Sequence, residues 1–317
     1  MKNILILGGT GFIGRNLVEK FSLNKNFNVT ATNFSKNPPI INNVVWIHAD
    51  LTKKDDVDKV FHANSNYDIV IQAAASTSGI MDTFNRPDFH VTDNAIMNSL
   101  ILRAINNLGV GHFVFFSCTT MLQPNFEPQD ENQFSGSIDP VEKYFGVGWT
   151  KVYIEKLCKF YSRIGQTKFS IIRHSNVYGP WDRNQLHNSH VCGSTITKVL
   201  SNSSEIEIWG SGEEKRDLIY ILDLIELVDL MISNQTSEYC LVNAGGENLI
   251  SITDLTKLVI KLAGKPLNIK YNSTKPTIDF SVTLDNSLAK KLFGWAPKTQ
   301  LNEGLTKTIK FWRENYL

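Results

Sequence analysis

An apolar run of strand length, Ile4-Leu5-Ile6-Leu7, ends on three glycines spaced three apart, Gly8, Gly11 and Gly14. No other segment constrains the fold of this chain as strongly. Phe12, Ile13, Leu17, Val18 and Phe21 follow at helical spacing. A strand, a tight turn and a helix N-terminus together form a cradle for a pyrophosphate. Gly8 permits the turn, Gly11 lets a phosphate approach the backbone, and Gly14 lets helix and strand pack closely. The helix dipole and its free N–H groups favour the anion. Placed between a strand and a helix, the segment points to a dinucleotide held by Gly8, Thr10, Gly11, Phe12, Ile13 and Gly14.

Short β-rich runs then alternate with longer helical patterns. Strands are expected at Lys2–Leu7, Asn28–Asn33, Val44–His48, Ile69–Gln72, His112–Ser117 and Lys168–Arg173. Between them, Asp55–Ala63, Val91–Leu108 and Thr150–Ile164 carry apolar residues three and four apart. This alternation predicts an α/β fold, a Rossmann-type doubly wound parallel sheet. Ligands of such sheets bind at the carboxyl ends of the strands, so the residues just after each strand matter most. After about Ser175 the pattern becomes irregular, and Ser201–Gly212 reads as polar and turn-like. Helices are expected at Ser251–Ala263, Asn286–Phe293 and Asn302–Asn315. The expected organisation is a dinucleotide-binding domain over 1–175, with a return segment near 214–235, and a smaller substrate-binding lobe over 176–317.

A formal net charge of +1 with no long basic run offers nothing to nucleic acid or a membrane surface. Met1-Lys2-Asn3 leads straight into the first strand, and no apolar stretch is long enough to span a bilayer, so a cytoplasmic enzyme is expected. Cys118, Cys158, Cys192 and Cys240 lack metal-ligand spacing, and no metal is expected.

Several segments match one family in its own order. They are Asp50-Leu51, Ala73-Ala74-Ala75, Phe116-Ser117-Cys118-Thr119-Thr120, Lys151-Val152-Tyr153-Ile154-Glu155 and Asn176-Val177-Tyr178-Gly179-Pro180. Over nearly its whole length the chain resembles the extended short-chain dehydrogenase/reductases, the nucleotide-sugar enzymes. Three further segments resemble the GDP-fucose synthase branch. Ser78-Gly79-Ile80, continuing to Arg86-Pro87 and Asn94, is similar to the loop beside the nicotinamide. Gly179-Pro180-Trp181-Asp182, leading to Asn188-Ser189-His190-Val191, is similar to the substrate loop. Trp209-Gly210-Ser211-Gly212 with Arg216 and Asp223 is similar to the nucleotide-diphosphate clamp.

The resemblance implies a GDP-linked sugar as substrate, met by Ser78, Gly79, Asn176, Asn188, His190, Val191, Lys198, Trp209 and Arg216. An arginine fork suits a diphosphate, and Lys198 adds a point charge. For the dinucleotide it adds Asn33, Ser35, Lys36, Asp50, Leu51, Ala73, Ala74, Ala75, Asn94 and Lys151. It further implies a homodimer or higher homo-oligomer, built through the helices near Val91–Leu108 and Thr150–Ile164.

The family's chemistry rests on a tyrosine four residues before a lysine. The lysine lowers the phenol's pKa, and the phenolate takes the sugar hydroxyl's proton as hydride passes to the cofactor. Lys151 is present, but the residue four before it is Val147, which carries no proton. The Ser/Thr that bonds the reacting hydroxyl falls on Cys118, with Thr119 and Thr120 adjacent. Branch members use a Cys and a His to move protons at C3 and C5; the His matches His190 and the Cys position falls on Thr120.

Three proton carriers are open: Tyr144 from an altered helix start, His190 directly or through a water, or a water beside Lys151. Tyr144 and Lys151 are seven residues apart, about 10 Å along a helix. The second strand ends Thr30-Ala31-Thr32-Asn33-Phe34-Ser35-Lys36, with neither the acid usual for NAD nor more than one cation for a 2′-phosphate. NAD is expected, with NADP an alternative. The expected activity is C4 oxidation or reduction of a GDP-linked sugar. A 3,5-epimerase/4-reductase and a non-catalytic nucleotide-sugar-binding protein are the alternatives.

Overall fold

The computed structural model describes residues 1–64, 66–77, 85–134, 136–186, 189–247, 249–275, 277 and 280–316. Seven parallel strands form the central sheet. They are β1 (Lys2–Leu7), β2 (Phe27–Asn33), β3 (Val44–His48), β4 (Ile69–Gln72), β5 (His112–Ser117), β7 (Lys168–His174) and β11 (Tyr239–Ala244), in spatial order β11-β7-β5-β4-β1-β2-β3. The chain runs outward from β1 to β3 and then returns to β4. The topological switch point therefore lies between β1 and β4, directly beyond Gly8.

Both sheet faces are covered, which is why the strands read as continuous apolar runs rather than alternating ones. Successive residues of β1 go to opposite cores. Ile4 and Ile6 pack with Leu17, Val18 and Phe21 of α1 (Phe12–Ser22), while Leu5 and Leu7 pack with Val57, Val60 and Phe61 of α2 (Lys54–His62). The second core also takes Met97, Ile101 and Ile105 of α3 (Thr92–Leu108) and Ile154 and Cys158 of α4 (Phe145–Ile164).

Helix α4 starts five residues before the expected Thr150. Its glycines pack rather than break it. A Cβ on Gly148 would lie 2.9 Å from the Thr120 carbonyl, and one on Gly146 would lie 2.8 Å from a Val91 methyl. These close approaches press the start of α4 onto the loop that follows β5.

The second half carries more regular structure than its sequence suggests. β8 (Asn176–Tyr178), β10 (Lys215–Tyr220) and β12 (Leu249–Ser251) form a three-stranded sheet. α5 (Val191–Ser201) precedes β9 (Glu205–Trp209), which pairs with β13 (Asn268–Asn272). β9 lies inside the stretch expected to be turn-like; it alternates, burying Ile206 and Ile208 while Glu205 and Glu207 face solvent. α6 (Ile221–Asn234) leads back to β11 at the sheet's edge. The C-terminal part continues with α7 (Ile252–Ala263), β14 (Val282–Leu284) paired to β6 (Asn125–Gln129), α8 (Ser287–Phe293) and α9 (Leu301–Asn315). A small third core joins the halves, with Met121, Leu122 and Val152 packed on Phe280, Val282 and Leu284. Among the described residues, no helix is long and apolar enough to cross a membrane.

Candidate active site

The glycine turn is closed to side chains by its own backbone. Gly8 has φ +78, and a Cβ there would lie 2.6 Å from the Ala74 Cα. A Cβ on Gly14 would lie 2.1 Å from the Gly8 carbonyl oxygen, so the first turn of α1 rests directly on the loop. Gly8 N–H donates to Thr32 Oγ1 at 2.9 Å and Gly9 N–H to the Thr32 carbonyl at 2.8 Å, tying the turn to β2. Gly11 precedes α1 with extended backbone and no side-chain cap, and Phe12 and Ile13 open the helix. N–H groups at a helix start with no side chain in the way suit a pyrophosphate.

Gly14→Ala is expected to lower dinucleotide affinity by at least about tenfold, because two backbone segments must separate to admit the methyl; overpacking of this kind costs about 1–3 kcal/mol of stability. Titration calorimetry with NAD checks it, and wild-type affinity in the variant would refute the close-approach argument.

Around this cradle the remaining dinucleotide candidates are chiefly backbone-organising. Asn33 is buried at the end of β2 and donates to the Lys36 carbonyl at 3.2 Å; Ser35 and Lys36 are exposed. Asp50 Oδ1 accepts from Thr52 N–H at 3.0 Å and Thr52 Oγ1 at 2.7 Å, and Leu51 is buried. Ala73 and Ala74 are half-buried beyond β4, and Ala75 is exposed. Asn94 clamps this loop: Oδ1 accepts from Ser76 N–H at 3.0 Å, and Nδ2 donates to the Ser76 carbonyl at 2.8 Å and the His90 carbonyl at 2.9 Å. Its amide positions the loop rather than reaching out of it.

The reactive end gathers beyond β5. Lys151 Nζ donates to the Phe116 carbonyl at 2.9 Å and lies 4.8 Å from the centre of the Phe115 ring. Burial lowers its pKa, with Cys118 and Glu155 opposing. Cys118 and Thr120 are in contact, Sγ to Oγ1 at 3.1 Å, with Thr119 half-buried between them. Val147 is half-buried one turn before Lys151.

Tyr144 lies just outside α4, at the end of a short 3-10 turn (Glu142–Tyr144), with its ring 4.9 Å from that of Phe280. Burial raises its phenol pKa, and the charges acting on it are Arg216 and Cys118. Residues 145–164 are helical, so Tyr144 stands about 10 Å along the axis from Lys151.

A buried ion pair fixes this end. Arg173 Nη2 and Glu155 Oε2 are 2.7 Å apart, Arg173 Nε donates to Glu155 Oε1 at 2.9 Å, and Ser117 Oγ donates to the same oxygen at 2.6 Å. This joins α4 to the ends of β5 and β7, one helical turn beyond Lys151. Sequence reasoning missed Arg173, and it missed His174 beside it. The position of His174 at the end of a parallel strand was the available signal.

On the substrate side, Asn176 donates to the Asp217 carbonyl at 3.1 Å. His190 caps α5 and Val191 opens it. His190 is exposed; desolvation of its ring, with Arg183 and His90, lowers its pKa to about 4. Lys198 Nζ lies 5.2 Å from the Trp209 ring centre and donates to the Glu207 carbonyl at 2.9 Å. Lys275, which sequence reasoning missed, lies 5.8 Å from the same ring. Arg216 donates to the Phe280 carbonyl at 3.0 Å. Ser78, Gly79 and Asn188 lie outside the described residues. Among the described residues, no three His, Cys, Asp or Glu side chains gather as a metal site.

A doubly wound sheet with a phosphate cradle at its switch point and a lysine at the end of β5 defines a nicotinamide-dinucleotide enzyme of the short-chain dehydrogenase/reductase type. The sequence pattern of the NAD-dependent epimerase/dehydratase family matches residues 4–245, and the chain belongs to that family. A rice (Oryza sativa subsp. japonica) protein described as a probable GDP-L-fucose synthase is 30% identical over 87% of this chain and 85% of its own. The structure of Thermotoga maritima UDP-glucose 4-epimerase superposes with TM-score 0.87 at 24% identity, over 99% and 100% of the two chains. That of a GDP-6-OMe-4-keto-L-xylo-heptose reductase from C. jejuni gives 0.85 at 20%, over 99% and 98%. The glycine cradle fits the dinucleotide of this family, NAD: Gly8 and Gly14 leave no room for a Cβ, and no side chain caps the start of α1.

Proposed function

We propose that this enzyme catalyses oxidation or reduction at C4 of a GDP-linked sugar. It would be a GDP-manno-heptose or GDP-hexose 4-dehydrogenase, or the corresponding 4-keto reductase, in cytoplasmic synthesis of bacterial surface polysaccharide. NAD, when bound, supplies the hydride acceptor or donor. The remaining work belongs to the chain. Lys151 presents a partly desolvated positive charge at the strand ends, where it offsets negative charge developing on the sugar oxygen. Cys118, Thr119 and Thr120 offer side chains to hold the reacting hydroxyl. Lys198 and Lys275 beside the Trp209 face, together with the Arg216 fork, suit a guanine nucleotide diphosphate.

The observation that carries this reading is Lys151 held at the end of β5 by the Phe116 carbonyl, beyond the dinucleotide cradle. By the resemblance, the branch's epimerising Cys falls on Thr120, whose hydroxyl is a poor base at neutral pH, so redox chemistry is favoured over epimerisation unless Cys118, 3.1 Å away, takes that role. The GDP-linked relatives support the nucleotide. Exposed Tyr153, Phe160 and Ile164 on α4 and Ile96 on α3 support a homodimer through these helices; a monomer in sedimentation would remove that part.

Mixing the protein and NAD with GDP-manno-configured sugars is expected to produce NADH absorbance. A 4-keto sugar incubated in deuterium oxide is expected to gain no label at C3 or C5. Label at both carbons would overturn the simple redox reading in favour of the 3,5-epimerase/4-reductase.

A further inference from the structure

We propose that His174 is the proton carrier that replaces the family tyrosine, taking the C4 hydroxyl proton of the sugar on its Nε2; this rests on the C4 redox reading above. His174 is the last residue of β7, and the ladder with β5 ends on the pair Ser117 and Arg173, so His174 and Cys118 each follow that last pair by one residue. Its ring centre lies 6.2 Å from that of Phe116, whose carbonyl holds Lys151 Nζ at 2.9 Å. The histidine and the lysine thus belong to the same strand ends, where the family's proton transfer takes place.

Its tautomer is set by the backbone. His174 Nδ1 lies 2.7 Å from the Ser175 carbonyl oxygen, which can only accept. Nδ1 therefore bears the hydrogen, and Nε2 keeps a lone pair. Among the described residues nothing is hydrogen-bonded to Nε2, and the ring is half-buried, within reach of solvent. The segment is fixed on both sides. Arg173 is locked to Glu155 just before it, and Ser175 N–H donates to the Ala244 carbonyl at 3.1 Å just after it. A base must be held in place to be effective, and this one is. Burial, opposed by the Ser175 contact and aided by Lys151 and His190, lowers its pKa to about 4, so the imidazole is neutral at pH 7 and its Nε2 unprotonated.

The other candidates fit less well. Val147 has no titratable atom, and Tyr144 stands just outside α4, about 10 Å along its axis from Lys151, with its phenol pKa raised by burial. His190 belongs to the start of α5 rather than to the strand ends that hold Lys151.

In the oxidative direction the sugar O–H bond breaks and its proton goes to Nε2. The oxygen's electron pair forms the C4 carbonyl as the C4–H bond breaks and its hydride passes to the nicotinamide. The imidazolium, disfavoured beside Lys151, returns the proton to solvent. Reduction runs the same balance backwards.

The test uses His174→Asn, His174→Ala and wild type with NAD and a GDP-linked sugar that wild type oxidises. Both variants are expected to lose about 10²- to 10⁴-fold in kcat with NAD affinity and melting temperature close to wild type. Added imidazole is expected to restore part of the rate of His174→Ala, and ¹⁵N shifts of the wild-type ring should report an unprotonated Nε2. Unchanged kcat in both variants overturns the proposal and leaves the C4 reading standing. Lost rate accompanied by lost NAD affinity and no imidazole rescue also overturns it, by making the residue structural. A wild type that exchanges hydride with no GDP-linked sugar removes the reading itself and this assignment with it.

Discussion

Lys151→Met is expected to lower turnover by about a hundred- to a thousandfold without lowering the stability of the folded protein. The kinetic half follows from charge. Preorganised charge in a partly dry site, aimed at an oxygen that becomes negative in the transition state, contributes this much in comparable settings. The stability half follows from linkage. Burial lowers the Lys151 pKa, so between the folded value and the usual 10.5 the unfolded chain binds more protons than the native one. Wild-type stability therefore rises with pH through that window, and near neutrality the buried cation opposes folding.

Methionine removes the cation and retains the bulk, at the expense of the donor to the Phe116 carbonyl. Denaturant midpoints at pH 7 and pH 10 check the stability half: the variant should match or exceed wild type at pH 7 and lose the upward slope. Turnover equal to wild type would remove Lys151 from the mechanism.

The parts of this molecule that could be read from the sequence are those in which one physical signal acts alone. β1, β4 and β5 are covered on both faces, so their apolar runs stand out, and Gly8 and Gly14 mark backbone approaches that admit no Cβ. Where two signals compete, reading fails. Gly146 and Gly148 look like helix breakers, yet they let α4 start early by fitting against Val91, Pro140 and the Thr120 carbonyl. β9 is polar because only alternate residues are buried, and its partner β13 lies about sixty residues downstream.

The site divides in the same way. Lys151, in the second turn of α4, and the segment from Cys118 to Thr120, just after β5, were picked out by their match to the family's motifs. His174 was hidden because the glycine, tyrosine and lysine patterns draw the eye elsewhere, and its contact with the Ser175 carbonyl exists only once β7 has ended. Lys275 comes to Trp209 through the pairing of β9 with β13, a long-range relation that local pattern cannot carry.

Arg173→Met should destabilise the fold by about 3–5 kcal/mol, because it leaves the Glu155 carboxylate buried with only the Ser117 hydroxyl for a partner. The two charged side chains are 5% and 4% exposed, so water cannot replace the lost guanidinium. Burial opposes the charge on Arg173, yet Glu155 outweighs it and holds the guanidinium pKa above its usual value. The same arginine donates to the Glu131 carbonyl at 3.0 Å, and the Glu131 carboxylate accepts from Asn243 N–H at 2.7 Å. Its removal therefore loosens β7 against both α4 and β11.

The pair is costly to break and cheap to replace. A double variant, Arg173→Met with Glu155→Leu, should recover most of the loss, since two apolar side chains need no partners. Urea unfolding of the three proteins measures the coupling. If the single variant is as stable as wild type, the pair is not what fixes the strand ends. If the double variant is folded but turns over slowly, the pair's purpose is placement: Lys151 stands one turn before Glu155, His174 one residue after Arg173, and both depend on where that ion pair sits.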